Sequence, residues 1–175
     1  MVITLIYLAT QIRQNTRALQ TASRQAISEG YRESNRLRLD PAVGLAWAKG
    51  LTSFPDLPFD ERHLFGLVMN DEALFFQSTF AIFESGQLEE ATYQGYLAWF
   101  SSVVSTPGGA YWWESLARPI YNPAMIEAVD QRIAAGSLHD VLALEQYRLD
   151  LQPSGDGGEA MHLSSDSRGD DDGST

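Results

Sequence analysis

Along the first segment of the chain, Leu5, Leu8, Ile12, Asn15, Leu19, Ala22 and Ala26 recur at steps of three and four. That spacing marks one face of a helix, and with Asn15 as its single polar member it forms a short heptad stripe. Gly30 is the only glycine before Leu39 and no proline interrupts. The pattern predicts one long helix over residues 2–39. Asp40 then supplies an N-cap and Pro41 a first helical position that needs no N–H, so a short helix containing Trp47 is expected to run to Gly50.

The stretch TSFPDLPFD has two prolines and no period, and reads as a loop. Beyond it, Leu64, Val68, Phe75 and Ile82 form one apolar row and Phe65, Met69, Phe76 and Phe83 an adjoining one. So wide an apolar face suits a central bundle helix, predicted from Glu61 to Ser85 with Asp60 as its cap. Tyr93, Tyr96, Leu97, Phe100, Val103 and Val104 share a face of a further helix, predicted over Glu89 to Ser105. Thr106-Pro107-Gly108-Gly109 breaks the chain as a turn that starts the next helix. A short helix is expected over Tyr111 to Arg118, another from Asn122-Pro123 to Gly136, and a last one from Leu138 to Leu149, capped by Ser137 with Asp140. No period-two alternation is long enough for a strand. The expected fold class is therefore all-α: a small up-and-down helical bundle with a long N-terminal helix and a C-terminal tail. Its divisions fall at residues 1–39, the long helix; 40–150, the bundle domain; and 151–175, the tail. The tail is rich in Gly, Ser and Asp and nearly lacks large apolar groups, so disorder is expected there.

The nearly apolar run Met1 to Ala9 raises the question of a membrane. Nine helical residues span about 13.5 Å, against roughly 30 Å of hydrocarbon. Extension downstream would bring Gln11, Arg13, Gln14, Asn15 and Arg17 into lipid. A signal peptide fits poorly, because no basic stretch precedes the run and no small-x-small cleavage site follows it.

The string ITLIYLATQIRQNTRALQ resembles the opening of an uncharacterised bacterial family of small membrane-anchored proteins. There, a fuller apolar helix precedes an LIYLA-x-QIRQNT segment. The likeness continues more loosely through DPAVGLAWAKGL, FDERHLF and TPGGAYWWESLARPIYNPAMIEAVD, and fades in the tail. The resemblance implies an N-terminal anchor followed by a helical domain, and it implies no activity and no catalytic residues. Against that pattern the upstream half of the anchor is missing here, either through a start assigned too far downstream or through loss of the span. The long helix is then a truncated membrane anchor. Val2, Ile3, Leu5, Ile6 and Leu8 are the expected membrane contacts, with Arg13 and Arg17 near anionic headgroups. Arginines directly after a span favour the cytoplasmic side. The expected location is the bacterial inner membrane with the globular part cytoplasmic, or the cytoplasm if the anchor is absent. The alternative is that these apolar side chains pack inside the protein or against a second copy, with the Asn15 stripe as the seam of a homo-oligomer.

Charge sharpens this picture. The net charge of −11 argues against nucleic acid as a partner. Arg13, Arg17, Arg24, Arg32, Arg36 and Arg38 face only Glu29 and Glu33 in the first 38 positions, while the tail from Leu151 carries six acids and one Arg. The absence of cysteine excludes disulfides and thiolate metal sites. No cofactor is expected. A di-iron site would need Glu-x-x-His on two core helices; the chain has only Asp60-Glu-Arg-His63 at a helix start and Glu159-Ala-Met-His162 in the tail. Asp71 and Glu72 stand out in an otherwise greasy helix, either as buried carboxylates or, as is more usual for such residues, as its solvated edge. His63, His139 and His162 have no triad partners nearby in sequence, and no phosphate-binding loop occurs. The most distinctive chemistry is aromatic: Tyr111, Trp112, Trp113, Arg118 and Tyr121 form a candidate binding surface. Adjacent tryptophans project about 100° apart on a helix; in the binding-surface reading one anchors the core while the other faces a groove, a partner or the membrane interface, with Arg118 stacked on a ring, and in the alternative both cover the bundle end. The expected role is interaction or scaffolding at a membrane. Two alternatives stand beside it: a ligand-binding or enzymatic bundle with a pocket lined by Trp99, Trp112, Trp113 and Tyr121, its small-molecule ligand unknown, and a soluble oligomer paired through the first helix.

Overall fold

A computed structural model describes residues 2–150, so the tail expected over residues 151–175 lies outside the described residues. Those described form an all-α protein: α1 (Val2–Leu37), α2 (Pro41–Ser53), α3 (Phe59–Glu84), α4 (Glu90–Val104), α5 (Pro107–Trp112), α6 (Pro123–Ala134) and α7 (Val141–Asp150). No strand occurs among them.

The caps explain most boundaries. Asp40 Oδ1 accepts from the N–H groups of Ala42 and Val43, and Pro41 opens α2. Asn122 Oδ1 accepts from Ala124 N–H, and Pro123 opens α6. Two expected caps move. Helix α3 starts at Phe59 after Pro58, so Asp60 lies inside its first turn, where a carboxylate favours the helix dipole without capping it. Helix α7 is capped by Asp140, whose Oδ1 accepts from Ala143 N–H; the start therefore falls at Val141, not at Leu138.

Helix α3 is the centre of the body. Its buried side is Phe65, Val68, Met69, Ala73, Phe76 and Phe80, and it packs against α1, α2 and α4. Phe76 stacks on Phe100 of α4 at 5.0 Å, and Phe83 on Tyr93 at 4.0 Å. From α1, Ile27 is buried and Tyr31 meets Phe75 and Tyr96, at 5.8 and 5.7 Å between ring centroids. The last third of α1 is thus part of the bundle, not a separate element.

At Thr106-Pro107-Gly108-Gly109 the turn expected to start the next helix is already the first turn of that helix. These residues do not form a free turn; Thr106 caps α5 by accepting from Gly109 N–H at 3.1 Å, and both glycines are buried inside the helix. Helix α5 packs against both α2 and α4. A Cβ on Gly108 would fall 1.6 Å from the Gly50 carbonyl oxygen of α2, and one on Gly109 would fall 2.1 Å from the Val103 carbonyl oxygen of α4. The chain then continues through a π-helical turn, Trp113–Ala117, and a 3₁₀ turn, Arg118–Ile120, before α6. The expected single helix Tyr111 to Arg118 is replaced by these two tighter and wider turns.

Because the atom facing Gly108 is backbone, it cannot rotate away. Gly108→Ala is expected to cost at least about 3 kcal/mol. Gly95→Ala, at an exposed helix position with nothing nearby to clash, should instead stabilise by about 0.5–1 kcal/mol. Urea unfolding followed by circular dichroism checks both.

Candidate functional site

The candidate site begins with what α1 does before it reaches the body. Every described side chain from Thr4 to Leu19 is exposed. Eighteen residues, Val2 to Leu19, amount to about 27 Å of helix standing clear of the bundle. Ile6, Tyr7 and Leu8 are 61%, 60% and 47% exposed, and Ile12 and Leu19 are 64% and 53%. The expected contacts Val2, Ile3 and Leu5 lie in α1, but their side chains lie outside the described ones. No described helix is long and apolar enough to cross a membrane.

Arg13 and Arg17 follow the apolar turns, and no acidic residue precedes Glu29 in the sequence. The first ion pair along α1 is Arg24 with Glu89, at 3.2 Å. Thr10, Thr16 and Thr21 turn their hydroxyls back onto the carbonyls of Ile6, Ile12 and Arg17. This consumes their donors and makes the rod less polar than its composition.

At 100° per residue, Leu8, Ile12, Asn15, Leu19, Ala22 and Ala26 centre on one line, and Arg13, Arg17 and Arg24 on another roughly 160° away. Ser23, Ile27, Gly30 and Ser34, which face the body, lie roughly a quarter turn from the apolar line. The apolar stripe therefore does not dock on the protein's own bundle: all six of those residues are exposed.

The root of α1 is held by a buried ion pair. Arg38 and Glu72, whose side chains are 1% and 2% exposed, meet through Arg38 Nη2 and Glu72 Oε1. The same Nη2 donates to Asn35 Oδ1 at 2.9 Å, and the guanidinium lies 4.7 Å above the Trp47 ring of α2. Arg38 Nε and Nη1 have no protein acceptor. Next to Glu72, Asp71 accepts a hydrogen bond from Ser34 Oγ at 2.5 Å. Glu72 is thus buried and not on the solvated edge. Burial pushes its carboxyl above the ordinary 4.5, opposed by the Arg38 charge. The Trp99 indole N–H also lowers it, from a position short of hydrogen-bond geometry.

The aromatic candidates are divided between core and surface. Trp112 and Trp113 are both buried, 6% and 1% exposed, so neither lines an open groove. Helix α5 is covered on two sides, and the π-helical turn begins at Trp113, which lets both indoles find the core. Trp113 meets Phe100 edge-on at 5.5 Å and stacks on Tyr121 at 5.9 Å. Tyr121 is buried and donates to Asn70 Oδ1 at 2.9 Å; burial pushes its phenol up. Tyr111 stays half exposed beside Phe54. Arg118 does not stack on a ring: it is bidentate to Asp130 and also bonds Glu114. The cation over an indole is Arg38.

Surface grooves occur elsewhere. One of about 350 Å³ runs over Leu37, Val43, Leu67 and Leu74, and another of about 460 Å³ over Gly30, Ser34 and Phe75. Neither is lined by Trp99, Trp112, Trp113 or Tyr121. His63 and His139 are exposed, and His162 lies outside the described residues. Among the described residues, no three His or carboxylate side chains converge as metal ligands. No family profile, curated protein or solved structure matches the chain.

The Arg38–Glu72 pair yields a test. Arg38→Met alone leaves a buried carboxylate without its counter-charge and is expected to cost about 3–5 kcal/mol at neutral pH, whereas Arg38→Met combined with Glu72→Leu should fall within about 1 kcal/mol of the natural protein or above it. The raised carboxyl means that Glu72 contributes full stability below 4.5 and loses it as pH rises through its folded-state value. Urea unfolding at several pH values should therefore show the double variant gaining on the natural protein as pH increases above 4.5.

Proposed function

We propose that the protein is a membrane-associated helical body with an interaction or scaffolding role, carried at a bacterial membrane surface by α1. One observation supports this above all: exposed Ile6, Tyr7 and Leu8 are followed by arginines with no acid before Glu29. A rod bare of body contacts, apolar first and basic next, suits a lipid interface followed by anionic headgroups. The resemblance of the opening to a membrane-anchored family points the same way.

The arrangement of faces favours entry along the rod axis over lying flat. With the apolar stripe in lipid, a flat rod would aim Arg13 and Arg17 at bulk water, away from phosphate. With Leu8 in the interface and the rod upright, Arg13 and Arg17 stand about 7 and 13 Å further along, at headgroup level. Arg13 and Arg17 on the cytoplasmic side put the body in the cytoplasm.

Flotation of the full chain with lipid vesicles tests this. Binding to phosphatidylglycerol vesicles is expected to exceed binding to phosphatidylcholine vesicles. Replacing Arg13 and Arg17 by Gln should weaken the former by roughly 30-fold, from about 1 kcal/mol per charge. Ile6→Asp with Leu8→Asp should abolish both. All four residues are exposed, so the fold is not at stake. Natural protein that stays with the soluble fraction over phosphatidylglycerol vesicles would overturn the reading.

A further inference from the structure

We propose that the stripe Leu8, Ile12, Asn15, Leu19, Ala22 and Ala26 of α1 is the seam of a parallel, in-register pair with the same stripe of a second copy. The parallel sense rests on the membrane reading above, since two rods entering one membrane point the same way.

Three observations select a second copy as the occupant. The first is spacing. The stripe alternates steps of four and three without a break from Leu8 to Ala26. A repeat of that kind keeps one face of a helix turned toward one partner helix along its length. All six positions are exposed in the single chain, so the face is not used by the protein's own body.

The second is charge. The positions flanking the stripe are Gln11, Thr16, Ala18, Ser23 and Gln25, all uncharged. The arginines, which would repel across a pair of identical helices, are carried on the opposite side of the rod. Two copies can therefore approach along the stripe without like charges meeting, and small Ala18, Ala22 and Ala26 permit close contact. An acidic partner helix would be drawn to the arginine side and would leave the stripe bare. Asn15, the one polar residue on the line, would lie directly opposite its own copy. The two amides can then hydrogen-bond to each other, which rewards the in-register parallel arrangement and penalises slippage.

The third is the helix's own instability. Most helical stability in proteins comes from packing an amphipathic face, not from propensity, and this stretch has no such packing in the single chain. Between Leu8 and Ser23 the rod has four Thr and Asn residues, which are poor helix formers, and no acid to make an i,i+4 ion pair with its arginines. A membrane would cover only the first turns. The stretch from Thr10 to Ala22 needs a surface along its side, and the stripe is its apolar side.

The natural chain has no cysteine, so single introduced cysteines report cleanly. In full-length protein, Ala22→Cys is expected to form a disulfide-linked dimer under mild oxidation. Thr21→Cys, one residue away and exposed on the outer side, should not. A same-residue disulfide requires Cα atoms within roughly 7 Å, which a parallel in-register pair provides. Light scattering in detergent should give a mass of two chains for the natural protein and of one chain for Leu19→Asp. Vesicle binding of Leu19→Asp should persist, because the apolar turns and arginines nearer the membrane are untouched. A mass of one chain for the natural protein, equal cross-linking at 21 and 22, or linkage of Ala22→Cys only to Ile12→Cys, as an antiparallel pair would give, overturns the proposal. Cross-linking at 22 without vesicle binding would overturn the membrane reading and leave the pairing standing.

Discussion

The buried contact between Arg38 and Glu72 is the constraint on which the rest of the arrangement depends. It joins the end of α1 to the middle of α3, and the guanidinium rests on Trp47 of α2. With Ser34 bonded to the neighbouring Asp71, Ser34 of α1 and Arg38 just past its end are fixed to two adjacent residues of α3. A buried charge pair is no guarantee of stability, because desolvation offsets its attraction. Its effect is directional. Sliding α1 by one turn, or rolling it about its axis, would leave two charges in the core without partners. The direction in which the first eighteen residues of α1 leave the body is thereby set.

That fixed exit direction separates the helix into parts with different work. From Ile27 onward it is an ordinary bundle helix, with Ile27 and Tyr31 in aromatic and aliphatic contact with α3 and α4. Before Gln20 its described side chains touch solvent. Three lines run along it: one toward the body, one apolar, one of arginines. The body takes the first and, of the arginines, Arg24 through Glu89, so the apolar line and Arg13 and Arg17 remain available together, one for a partner and the others for headgroups. The proposals of membrane attachment and of pairing share Leu8 and otherwise use different residues of the same rod, so neither competes with the other.

Helix α5 shows a second kind of constraint, close backbone approach. Helix α5 approaches the backbones of α2 and α4 so closely that only glycine fits at Gly108 and Gly109. Trp113 closes the space beneath, between Phe100 and Tyr121. Ser102 accepts from His139 N–H and so ties the connection into α7 to α4. A chain without disulfides reaches this compactness through backbone contact and aromatic packing.

Helical class, most boundaries and the exposed apolar start were legible in the sequence, because caps such as Asp40-Pro41 and Asn122-Pro123 and the three-and-four spacing act within a few residues of themselves. The sequence also carried the stripe from Leu5 to Ala26, but not which way it faces. That was decided by Ile27, Tyr31, Ser34 and Arg38, whose spacing marks a rival face only once their partners on α3 are known. Glu72 looked like a solvated edge because its counter-charge lies 34 residues away. The tandem Trp112-Trp113 suggested one open face because a regular helix separates neighbours by about 100°; in the fold a π-helical turn begins at Trp113 and both indoles are buried. Local hydrogen bonding and periodicity thus determined the elements, and tertiary contact decided burial and direction, since both depend on atoms that the chain brings together only after folding.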